Sequence, residues 1–260
     1  MKFFNFFNFF IKRKVNSFVD NQSFQDTGFS SYFGVIQFQH QNFRNWKEFH
    51  AKVLSNVKSA KGQGAKFILF PAGMNIELYA NDEVSLSDGQ ISKAAEEVLK
   101  IFCAVASAEN VYIAYADFVK GQKIFHMIGN TGKEIKGKTF EIYGSVVSFM
   151  DEDITEDVRV VLNPSLLKKW TGDYESFGHA WLFSQQRYVY SLESYIVGDH
   201  FTGQSGIYSP IEATESMSGI IKQAQSKILE EILVAHLDFN LIDEVRKKKD
   251  LKSYARLLNK

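Results

Sequence analysis

The sequence predicts an α/β fold in which helices cover both outer faces of buried sheet. Three observations point there. Short apolar runs of strand length alternate with amphipathic stretches of helical period. Hairpin signals are inserted between them. The 260 residues are 45% hydrophobic and 23% charged, ordinary for a globular protein and enough for one large domain or two small ones. No sequence repeat recurs at a fixed period.

The first 31 residues read as a Phe-rich leader without a stable period. "MKFFNFFNFFIKRK" has Phe at 3, 4, 6, 7, 9 and 10, then Lys12, Arg13 and Lys14. Its basic cluster follows the apolar core, the reverse of a signal peptide, and the core is too short to span a bilayer. The sharper reading is an interfacial contact through residues 3–14, aromatics among headgroups and cations on anionic lipid. The plainer reading, a disordered leader in front of a cytoplasmic protein, is preferred.

The folded body is expected over residues 32–260. "YFGVIQF" opens it as a buried strand. "NWKEFHAKVLSNVKSAKGQG" places Trp46, Phe49, Val53 and Val57 at helical spacing and stops at Gly62 and Gly64. "AKFILF" is a second strand. "SDGQISKAAEEVLKIFCAVASAEN" is a second amphipathic helix, capped by Ser87 or Asp88. "VYIAYADF" is a third strand, and "QKIFHMIGNTGKEIKGKTFEIYG" a hairpin turning at Asn130-Thr131-Gly132. "GSVVSFM" and "VRVVLNPS" are strands. "YESFGHAWLFSQQRYVYSLE" reads as a helix with Phe177, Trp181 and Tyr188 on one side. "SYIVGDHFTGQSGIYSP" is a strand, a turn and a strand. "IKQAQSKILEEILVAHLDFN" reads as a hairpin, and "LIDEVRKKKDLKSYARLL" as a C-terminal helix.

Charge and composition narrow the function. Thirty basic and 30 acidic residues leave no net charge, and no long basic tract argues for a nucleic-acid partner. A single cysteine, Cys103, excludes an internal disulfide and a Cys-based zinc cluster. It lies in an apolar helical pattern and reads as a core thiol. The six histidines, at 40, 50, 126, 179, 200 and 236, form no His-x-x-x-His pair, so neither metal nor cofactor is expected. The acidic run Asp151 to Asp157 lacks the spacing of a calcium loop and reads as a solvated turn. "GNTGKEIKGK" lacks the spacing of a phosphate loop.

Five segments, in order, resemble the nitrilase (carbon–nitrogen hydrolase) superfamily. "VIQFQHQNFRNWKEFHAKVLSNVKSAKGQGAKFILFP" is similar to its first strand–helix–strand unit. "VRVVLNPS" is similar to its strand into an Asn-Pro-Ser turn, and "GHAWLFSQQRYVYSLESYIVG" to its Trp- and Arg-bearing helix and strand. "FTGQSGIYSP" carries Phe201, Gly203, Ser205, Ile207 and Pro210 at the marked positions of its Phe-x-Gly-x-Ser-x-Ile-x-x-Pro segment. "EEILVAHLDFNLIDEVRKKKDLKSYARLL" resembles its closing strand, turn and helix. The resemblance implies an αββα sandwich, commonly paired into an eight-layer dimer, so a homo-oligomer is expected.

It also implies chemistry that this chain lacks in part. The family uses a Glu base after a Phe-Pro pair, an oxyanion Lys and a Cys nucleophile. Here the base position holds Ala72, which cannot accept a proton. Counted from Gly144, the nucleophile position falls on Ser148. Lys136 and Lys138 are both near the lysine position, Lys138 being taken for it, with Phe140 also in register. A further acidic position on the Trp-bearing helix falls on Tyr190, with Glu193 close by. Two readings follow. One is a nitrilase-type protein without the hydrolase chemistry, binding a small molecule or serving as a partner subunit. The other is a divergent amidase- or acyltransferase-like enzyme with Ser148 as nucleophile, supported by Glu77, Lys138 or His179. Pocket candidates are Glu77, His179, Tyr190 and His200. For each the plainer reading is stronger: Glu77 a solvated loop carboxylate, Lys136 and Lys138 solvated hairpin lysines, the two histidines structural or surface. A membrane-associated scaffold built on the leader is a third reading.

Overall fold

A computed structural model describes residues 30–41, 43–79, 87–150, 154–167 and 179–258. Residues 1–29 of the leader, Phe177 and the first three residues of the acidic run lie outside them, and the leader's last two residues, Ser30 and Ser31, belong to the first strand.

Two ladders of strands form the interior. In the first, β1 (Ser30–Gln39) pairs in parallel with β2 (Phe67–Ala72), which pairs in parallel with β3 (Tyr112–Val119). Antiparallel β4 (Gln122–Ile128) and β5 (Glu134–Ile135) extend it on one side, antiparallel β12 (Glu231–Asp238) on the other. The second ladder runs β6 (Thr139–Ile142), β7 (Ser145–Phe149), β8 (Val158–Ser165), β9 (Tyr190–Val197), β10 (Gly206–Tyr208), β11 (Ile220–Gln223). Its centre, β7 to β9, is parallel. The ladders join where β1 and β9 pair in parallel, Phe38 with Ile196 and Gln39 with Val197.

Alternation along each strand assigns its faces. Phe33, Val35, Phe67 and Leu69 from the first ladder meet Val147, Phe149, Val160, Leu162 and Leu192 from the second, forming the core between the sheets. The intervening residues Ile36, Phe38, Ile68 and Phe70 face two helices. Helix α1 (Trp46–Gly62) starts because Asn45 accepts from the main-chain N–H groups of Lys47 and Glu48. It buries Phe49, Val53, Val57 and Ala60, one stripe at spacings of four, four and three. Helix α2 (Asp88–Glu109) starts in a Ser87–Gln90 capping box and ends at Asn110, whose φ of 54° closes the last turn. Burying each large side chain of such a stripe stabilises by roughly 1.5–3 kcal/mol. On the far side, α3 (His179–Arg187) packs Phe183 toward Val158, Val161 and Val189. The layers are therefore helix, sheet, sheet, helix: the αββα sandwich.

Helix α4 (Phe239–Leu258) follows β12 directly and feeds Phe239 and Ile242 into the core between the sheets. Arg246 ties it down by donating to the carbonyls of Glu156, Val158 and Tyr188. Arg159 adds a two-pronged pair with Asp243, at 2.9 and 3.0 Å.

Two expectations are corrected. The helix read through Glu193 stops at Arg187, and Tyr188 turns the chain with φ 55°. Tyr190 to Val197 is instead a fully buried strand, which supplies two ladder neighbours that a helix could not. The segment read as one hairpin is split between the ladders. β11 pairs with β10, whereas β12 runs along β1 for eight residue pairs. Long antiparallel pairing with a central strand outweighs the local turn.

Candidate functional site at the strand ends

The carboxyl ends of β1, β2, β8 and β9 converge where the ladders join. β2 ends in Pro71 and Ala72, past a register irregularity against β3, and Ala72 is fully buried. Gly73 then takes φ 85°, and a Cβ there would lie 3.2 Å from Leu166, just beyond β8. A single 3₁₀ turn, Met74–Tyr79, follows.

This turn carries Glu77, expected to be solvated and found fully buried. Its Oε2 lies 2.9 Å from Nδ1 of His40, which directly follows β1. Nε2 of His40 faces Asp199, just after β9, at 3.8 Å, and its main-chain N–H donates to Val197. The ring of Phe201 meets the imidazole edge-on. Burial raises the Glu77 carboxyl above its usual range, and the His40 contact offsets this in part. Its Oε1 is buried without a hydrogen-bond partner. The carboxyl therefore holds its proton more readily than a free one would.

The other positions singled out by sequence are not assembled around it. Val147 and Phe149 point into the core between the sheets, so Ser148 lies on the opposite face of β7, alongside Val161. Its hydroxyl donates within its own hairpin, toward the carbonyl of Lys138 at 3.0 Å and that of Phe149 at 3.3 Å. Lys138 and Lys136 are exposed, and Lys136 pairs with Glu134. Phe140 is buried, edge-on to Phe149, whose other neighbour is the stacked ring of Phe125. His179 and His200 are both exposed rather than pocket-lining. Tyr190 is buried at the opposite end of β9. Its hydroxyl donates to the carbonyl of Asp238, and burial pushes its pKa well up. It lines an open cleft of about 610 Å³ with Thr214, Ser216, Ile221, His236 and Asp238.

Two further carboxyls are buried, Glu193, read from the sequence only as close to the further acidic position, and Asp117, not singled out at all. Glu193 on β9 accepts from Asn163 at 2.8 Å and from the Tyr195 hydroxyl at 2.7 Å. Burial is the dominant influence and pushes its pKa up to about 8. Asp117 on β3 is fully buried beside His126 of β4. Only strand pairing brings these partners together, although Asp117 and His126 flank a hairpin that the sequence does display. Cys103 is half-buried on α2, and burial raises its thiol pKa, so it is not an activated thiolate. Among the described residues no group of three or more His, Cys, Asp and Glu is placed to hold a metal ion, and no helix is long and apolar enough to cross a membrane.

No known family model matches the sequence, and no curated protein does. Solved structures do match. A cysteine-to-alanine variant of the Nesterenkonia AN1 amidase, from the nitrilase superfamily, superposes with a TM-score of 0.60 at 12% identity, over 86% of this chain and 97% of that one. A form of the same amidase carrying the acetamide moiety of fluoroacetamide on its active-site cysteine matches with a TM-score of 0.60 at 12% identity, over 90% and 100%. The C. elegans NitFhit protein matches with a TM-score of 0.63 at 13% identity, over 86% of this chain and 64% of that one. The chain thus has the nitrilase-type fold.

Proposed function

We propose that this chain is a nitrilase-fold protein without Glu–Lys–Cys hydrolase chemistry, acting as a small-molecule-binding or partner subunit. The observation that carries the reading is Ala72, fully buried at the end of β2 where a general base is expected. Two others agree with it. Lys138 is exposed, Phe140, also in register for the lysine position, packs against Phe149, and the Ser148 hydroxyl is bound to main-chain carbonyls. Losing one member of a cooperative catalytic unit removes most of its rate, so the members lapse together. The open cleft beside Tyr190 presents Thr214, Glu215, Ser216, His236 and Asp238, polar side chains that a small molecule could engage. Homodimerisation and a cytoplasmic location belong to the same reading.

The test is a panel of amides, nitriles and esters incubated with the purified full chain, read by turnover and by intact mass. The expected result is no turnover above background and no adduct. An acyl adduct trapped at one side chain overturns the reading.

The second reading, a divergent amidase- or acyltransferase-like enzyme, draws on the amidase fold of the neighbours and on the buried Glu77–His40 pair. It requires Ser148, or another nucleophile, to reach that pair. Turnover abolished by Ser148→Ala would establish it.

A further inference from the structure

The cleft beside Tyr190 lies where both ladders end. Among the described strands, β12 has a ladder neighbour on one side only, β1, and β11 has only β10. The cleft runs between these two edges. His236 and Asp238 line it from β12, Ile220 and Ile221 from β11, and Leu241 from α4. An unpaired sheet edge leaves main-chain groups and half-buried apolar side chains ready for another segment, and proteins ordinarily cover or charge it. Here the apolar part stands open. Ile220 is 39% exposed, and Met217, on the turn before β11, is 60% exposed. The charged side chains lining the cleft, Glu215 and Asp238, are both acidic.

The chain carries a segment of matching chemistry and joins it to the body beside this cleft. β1 and β12 are antiparallel, and their register sets Ser30 opposite Asp238 and Tyr32 opposite His236. The rings of Tyr32 and His236 lie 5.0 Å apart. Residues 1–29 thus enter the described body one strand, about 5 Å, from two cleft-lining residues. Phe at 3, 4, 6, 7, 9 and 10 and Ile11 match the apolar edge, and Lys12, Arg13 and Lys14 match the two carboxylates.

Reach does not limit the contact. A coil the length of residues 15–29 spans roughly 20 Å, and fully extended it spans about 50 Å. A tether that short holds its end at an effective concentration on the order of millimolar, so even a weak contact is largely made. Ile228 and Leu229 are exposed as well, but they precede the far end of β12, roughly 20 Å along the strand.

We propose that the Phe-rich segment 3–14 docks in the cleft of its own chain, covering the open edges of β11 and β12 and closing that cleft to other ligands. The inference concerns access to the cleft, and it stands whether or not a small molecule binds there or the chain hydrolyses anything.

The experiment places p-benzoylphenylalanine at Phe7 of the full chain. The protein is irradiated at micromolar concentration, digested, and its cross-linked peptides are mapped by mass. The expected product is of single-chain size, with the link in 213–221 or 236–241. Ile220→Lys, at a partly exposed site, should lower the yield about tenfold, roughly what partial burial of one isoleucine is worth. Ile228→Lys should leave it unchanged. Links scattered over the surface, or gathered at Ile228 and Leu229, overturn the proposal. A two-chain product overturns it too, because the occupant is then a second copy. So does a label that links to no cleft residue and reacts only with added phosphatidylserine vesicles, since the segment is then a membrane contact. An unchanged yield in an Ile220→Lys chain that melts at the wild-type temperature also overturns it.

Discussion

The end of β2 with the core between the sheets, and the buried polar clusters close to them, follow opposite rules. Ala72, Phe140 and the inward face of β7 are apolar, packed and without ionisable groups. A few residues away, Glu77, Asp117 and Glu193 are buried carboxyls, each beside an imidazole, an amide or a hydroxyl. Burial penalises a charge heavily unless a partner compensates it. The comparison teaches that this interior tolerates carboxyls where partners are supplied, and that the end of β2 at Ala72 is packed as apolar core instead.

The largest expected effect tests the paired side. Glu193 has a folded pKa of about 8 against an ordinary 4.5. Its raised value means stability present below pH 4.5 and lost as pH rises toward 8, on the order of 5 kcal/mol in all. Glu193→Gln keeps an acceptor for Asn163 and Tyr195 but cannot ionise. Chemical denaturation at pH 5 and pH 9 should find the variant close to wild type at the lower pH and far more stable at the higher. Equal pH dependence in the two proteins would sink the idea that this carboxyl is buried against its preference.

Next comes the unpaired side. Ala72→Glu puts a carboxylate in a fully buried position. It should destabilise by roughly 3 kcal/mol through overpacking and an uncompensated charge, without generating amidase activity. Thermal melting together with the amide panel measures both. A stable variant that turned over amides would show that the rest of the machinery had survived.

Gly132→Ala tests the β4–β5 turn. Gly132 has φ 77°, and a Cβ would lie 2.5 Å from the carbonyl oxygen of Cys103. A loss of about 2 kcal/mol in a denaturant midpoint is expected. Smallest is Ser148→Ala, which removes one hydroxyl from two main-chain acceptors and should cost about 1 kcal/mol. Its contribution is the contrast: a stability change with no functional one fits a structural serine.

Much of the scaffold was legible in the sequence because its signals are local. The stripes Phe49–Val53–Val57 and Val98–Phe102–Val105 report helices, and the Ser87 cap reports a start. The misread segments are those where tertiary pairing won. Tyr190 lies in a stretch with helical spacing but is taken by β9, and β12 leaves its own hairpin for β1.

The sequence by itself determined the alternation of strands and helices, the alanine that ends β2 and the helical setting of the single cysteine. Those are matters of residue identity and period, and both are written along the chain. Only the tertiary structure decided which way Ser148 faces, that Glu77 is buried, and that His40 and His126 each lie beside a buried carboxyl. His40 and Glu77 are 37 positions apart, and they meet because β1 and β2 are parallel neighbours whose ends share one edge. Burial, and with it the cost of each charge, belongs to that edge rather than to any residue upon it.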